Sequence, residues 1–63
     1  MWIMENGKTY KVIYEDGKWV RDKVLVFQGF QDDFLVFFNP SKKIREIIHK
    51  SRVIRIEEVK HEG

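Results

Sequence analysis

Apolar and polar positions alternate along the first half of the chain. Tyr10, Val12 and Tyr14 share one parity, while Thr9, Lys11 and Glu15 share the other, with Ile13 as its one apolar member. Further on, Val20, Val24 and Val26 fall on one parity, broken by Asp22, and Trp19, Leu25 and Phe27 fall on the other. A period of two carried by β-branched and aromatic residues predicts strands. Asn6-Gly7 and Asp16-Gly17 punctuate them. Both dipeptides tolerate the positive φ of a type I′ turn. The first half therefore reads as a meander, with strands over roughly 1–5, 8–15 and 18–27.

The stretch Gln28-Gly29-Phe30-Gln31-Asp32-Asp33 is a polar break with a glycine and predicts a turn. Phe34-Leu35-Val36-Phe37-Phe38 is apolar on both parities. It reads as a central strand buried on both faces, or on one face with a partner over the other. Asn39-Pro40-Ser41-Lys42 is the next break. Residues 43–50 fit two patterns. Ile44, Ile47 and Ile48 have helical spacing, and Asn39 with Pro40 suits a helix start. Three isoleucines are stiff at χ1 and favour sheet. His49-Lys50-Ser51 then reads as a corner before a closing strand at Val53-Ile54-Arg55-Ile56. The expectation is a mainly β fold, a small antiparallel meander or barrel of about five or six strands. The alternative is α+β with one short helix near 40–50. The expected core draws on Tyr10, Val12, Tyr14, Val24, Val26, Phe34, Val36, Ile44, Ile54 and Ile56.

Sixty-three residues make one domain, 1–63, with a tail expected to fray from about Lys60. The chain has no cysteine, which excludes disulfides and thiolate metal sites and fits a reducing, cytoplasmic setting. Charged residues make up 35% of it, with both signs mixed, a balance that resembles proteins of hyperthermophiles. The apolar start, Met1 to Met4, is too short for a signal peptide or a membrane span, so no membrane partner is expected.

Nothing in the chain is spaced for catalysis. Asp32 and Asp33 are adjacent, and neighbours on a strand point to opposite faces. His49 and His61 are the only histidines, and no nucleophile, base and orienting group recur at a telling spacing. His61, near Glu57, Glu58 and Glu62, lies in the tail, a poor place for a metal. The four glycines form no phosphate loop. The chain is expected to be no enzyme, with no cofactor and no metal, and to act by binding another macromolecule.

Two features suggest how. Lys42, Lys43, Arg45, Lys50, Arg52 and Arg55 cluster against the single acid Glu46. On a strand, Lys43, Arg45, Ile47 and His49 would line one face. With Arg52 and Arg55 near, that gives a positive stripe able to meet phosphates. Aromatics for base stacking are missing within the block, though Phe30 in the preceding loop is at hand.

The second is Gln31-Asp32-Asp33-Phe34-Leu35-Val36-Phe37-Phe38. Gln31, Phe34, Phe37 and Phe38 fall on the positions of a sliding-clamp box, with Phe34 where an aliphatic residue is usual. With the small size and Lys/Glu/Ile-rich composition, the chain resembles the small archaeal inhibitors of the sliding clamp PCNA. That resemblance implies a regulator that binds and inhibits the clamp. It makes Gln31, Phe34, Phe37 and Phe38 the contact, with Phe30 and the basic block in support. Its physical sense is an aromatic plug in a desolvated pocket. The chain is also similar to the Sm-like and SH3-like small barrels. A strand, an Asp-Gly turn, a long bent strand, a Phe-rich strand and then Ser51-Arg52-Val53-Ile54-Arg55-Ile56 carry that likeness. It implies a barrel that binds RNA or DNA.

Overall fold

The computed structural model describes residues 3–60. Five strands form one antiparallel sheet: β1 (Thr9–Asp16), β2 (Trp19–Gln31), β3 (Phe34–Asn39), β4 (Ile44–His49) and β5 (Val53–Glu58). Their order is β4-β3-β2-β1-β5, so the chain meanders through four strands and the fifth returns to β1. A short 3₁₀ turn, Lys50–Arg52, leads into β5. The fold is mainly β, as expected. No strand forms at residues 3–5. Met1 and Trp2 lie outside the described residues, as do His61, Glu62 and Gly63, where most of the expected fraying falls.

Turn chemistry differs from expectation by one residue. Asp16 pairs with Trp19, so the β1–β2 loop is Gly17-Lys18, not Asp16-Gly17. Of the two loop residues only Gly17 has positive φ (62°), which matches a type II′ rather than a type I′ turn. Between β3 and β4, Asn39 builds a turn instead of capping a helix. Its Oδ1 accepts from the backbone N–H of Ser41 (3.0 Å) and Lys42 (3.2 Å). The chain then reverses with Lys43 at φ 57°. The alternative helix near 40–50 is thus replaced by this turn and by β4, which pairs along its whole length with β3.

The thirteen-residue β2 serves two neighbours, β1 with its first half and β3 with its second. Between them the register jumps from Phe27↔Phe37 to Gly29↔Val36, leaving Gln28 unpaired. Gly29 adopts φ 124°, a conformation that L side chains rarely take. Such a bulge bends and twists its strand. The sheet curls accordingly, and its concave side carries the core of Tyr10, Val12, Tyr14, Leu25, Phe27, Leu35, Phe37 and Ile48.

On β2 and β3 the inward parity is shifted by one residue from the expected core. Tyr10 faces Leu25 in register, so Leu25 and Phe27 point inward while Val24 is exposed and Val26 only half-buried. A slip of one position moves a whole strand to the other face. On β3, Leu35 and Phe37 are inward, and Phe34 is 41% exposed. Val36 is buried although it lies on the outer parity. Ile44 starts an edge strand and is exposed, while Ile48 takes the inward place. Ile54 is the extra residue of a β1–β5 bulge and is exposed; Ile56, opposite Val12, is half-buried against the core.

Candidate functional site

The convex face of β2, β3 and β4 is built from three cross-strand rows. Val26, Phe38 and Arg45 form one, Gly29, Val36 and Ile47 the next, and Gln31, Phe34 and His49 the third. Alternation along each strand puts these residues on one side. Phe34, Val36 and Phe38 thus run down the middle, flanked by a glutamine, a histidine and an arginine. Phe34 and His49 meet with ring centroids 4.9 Å apart and planes 88° apart. The Nδ1 atom of His49 accepts from the Ser51 backbone N–H (3.1 Å) and lies 2.8 Å from Ser51 Oγ. In the neutral ring this leaves the proton on Nε2.

The box residues do not come together. Phe37 is wholly buried, packed edge-on against Phe27 at 5.6 Å. Gln31, Phe34 and Phe38 lie on the opposite face, because successive side chains of a strand alternate. A contact surface therefore contains at most those three, and Phe37 belongs to the core. Phe30 is 56% exposed but sits on the inner parity, against Phe27 at 5.2 Å, at an open end of the core.

The basic block divides. Lys42 and Lys43 sit in the β3–β4 turn and Arg52 in the 3₁₀ turn, at opposite ends of a strand about 20 Å long. Arg45 lies between them on the convex face, sharing it with Ile47 and His49 as expected; Lys43 is in the turn and not on the strand. All four cations are exposed, and none makes an ion pair among the described residues. Lys50 is held by Asp33 (3.2 Å). Arg55 stands on β5, opposite Ile13 and bound to Glu57 (2.6 Å), away from the others.

One polar cluster was not anticipated. Glu46 faces inward, opposite Phe37. It accepts hydrogen bonds from Lys23 Nζ (2.8 Å), Tyr14 Oη (3.1 Å) and Asn39 Nδ2 (2.7 Å). Burial alone would raise its carboxyl, and the three donors, Lys23 foremost, outweigh that and hold it below the ordinary value. The bond to Glu46 raises Lys23 against its own desolvation. Burial raises the Tyr14 phenol, opposed by Lys23 and assisted by the Glu46 charge. The only available signal was that Glu46 is the lone acid in the basic block.

Where the curl brings the β1–β2 turn towards β4, a cleft of about 460 Å³ opens. Phe34, Ile47, Ile48, His49 and Arg52 line one side, and Tyr14, Glu15, Asp16 and Gly17 the other. No group of His, Asp or Glu among the described residues is arranged to hold a metal ion, and no helix there is long and apolar enough to cross a membrane. No protein family, characterised protein or solved structure matches this chain.

Proposed function

We propose that the chain is a non-catalytic nucleic-acid-binding module whose working surface is the convex face of β2, β3 and β4. The observation that carries this reading is the company the aromatic residues keep. Phe34 and Phe38 lie among Lys42, Lys43, Arg45 and Arg52, four cations with no acidic partner among the described residues. Aromatic rings offer stacking and unpaired cations offer phosphate contacts, the two components of single-strand and backbone binding.

A second reading, a ligand of the PCNA clamp, keeps one favourable observation: Gln31 and Phe34 are cross-strand partners, both exposed. It gives up the double aromatic plug, because Phe37 faces the core. Fluorescence anisotropy with labelled RNA, labelled DNA and labelled PCNA tests both. Saturable, salt-sensitive binding of either nucleic acid supports the first. Binding of PCNA alone replaces it with the second.

A further inference from the structure

We infer, building on the nucleic-acid reading above, that the preferred ligand is single-stranded and that one of its bases seats in the cleft beside Phe34. Three observations point there. The cleft volume of about 460 Å³ falls within the range of small-molecule sites. One wall carries the apolar Phe34 and Ile47 beside Arg52, a guanidinium with no ion partner among the described residues. The facing wall carries Glu15 and Asp16, the latter bound to Arg21 (3.2 Å), so a base can meet the first wall with its phosphate turned towards Arg52. Finally, the platform is held in place. Ser51 anchors the His49 ring, and His49 stands perpendicular to Phe34 at 4.9 Å. A ring fixed before binding loses less freedom when a base lands on it.

A duplex cannot use this arrangement cheaply. Its base faces are stacked on one another, and turning one out means unstacking and unpairing it. A single strand has its π-faces free, and Arg52 can then meet the adjoining phosphate or stack on the base itself. Phe38, about 13 Å along β3 from Phe34, is placed to support a second base of the same strand.

The test is anisotropy at low salt with a labelled single-stranded RNA of about 12 nucleotides and with the duplex of the same sequence. The proteins are wild type, Phe34→Ala, Phe34→Leu and Phe34→Tyr, each checked for folding by circular dichroism. Wild type is expected to bind the single strand at least about tenfold more tightly than the duplex. Loss of the ring in Phe34→Ala should weaken single-strand binding by about 5- to 100-fold and leave duplex binding within about twofold. Phe34→Leu, which keeps an apolar side chain without a π-face, should show the same loss and serves if the alanine variant unfolds. Phe34→Tyr should bind like wild type. Equal affinity for the two ligands, or a folded Phe34→Leu that binds the single strand as wild type does, would overturn the inference while leaving nucleic-acid binding intact. Failure of wild type to bind either ligand would overturn both.

Discussion

Lys23 of β2 and Glu46 of β4 meet at 2.8 Å although β3 lies between their strands in the sheet. Tyr14 of β1, another strand removed, reaches the same carboxylate. A flat sheet would hold β1 and β4 three strand spacings, about 14 Å, apart. The contact exists because β2 bends at Gly29 and the sheet curls. Two side chains of the cluster are only 25% and 12% exposed, Lys23 and Glu46 respectively, so the pair is shielded more than a surface ion pair. With Tyr14 it ties β4 back to β2 and β1.

Glu46→Gln should therefore destabilise the protein by about 1–3 kcal/mol at neutral pH, because Lys23 loses its charged acceptor. Urea titration measures this. With Tyr14→Phe as the second substitution, a double-mutant cycle should give a coupling of about 0.5 kcal/mol or more. Strict additivity would mean that the cluster does not act as a unit.

Stability should also fall at both ends of the pH scale. The Glu46 carboxyl lies below its ordinary 4.5 in the folded state, so its contribution is complete above that pH and is lost on acidification through the lowered value. Tyr14 and Lys23 lie above their ordinary 10.0 and 10.5, so theirs is complete below those values and is lost as pH rises through the raised ones. Thermal midpoints recorded against pH should show a plateau between these limits. Glu46→Gln should remove the cluster's share of the acid fall, a change that a purely surface carboxylate would not produce.

Phe37 and Phe34 separate core from surface. Phe37→Ala empties a buried site and should cost about 3–5 kcal/mol. A chain of this length has roughly 3–9 kcal/mol in total, so the variant should be largely or wholly unfolded in mild denaturant. Phe34→Ala, at a partly exposed site, should cost about 1 kcal/mol. Equal costs in guanidinium titrations would contradict the placement of the two rings.

Much of the first hairpin can be read from sequence, because Tyr10, Val12 and Tyr14 alternate with polar residues and a glycine follows. The facing of β2 cannot. Val20, Val24 and Val26 on one parity compete with Trp19, Leu25 and Phe27 on the other, and only the pairing of Tyr10 with Leu25 decides between them. Ile44, Ile47 and Ile48 satisfy helix and strand periods alike until Asn39 closes the turn before them. Of the site, Phe34, Phe38 and the cations are legible as residue types. The separation of Phe37 from its neighbours depends on strand alternation. The Glu46 cluster unites residues 32 and 23 positions apart, which no local pattern reveals.

The most direct measurement of nucleic-acid binding through this face is the salt dependence of single-stranded RNA affinity. Wild type is to be compared with a folded variant carrying Lys42→Ala, Lys43→Ala, Arg45→Ala and Arg52→Ala. Four phosphate contacts on a single strand give a slope of log affinity against log salt of about −3. Wild type should approach that value, and the variant should lose measurable binding or retain a slope near zero. An unchanged slope in the variant, or no binding by wild type even at low salt, would contradict it.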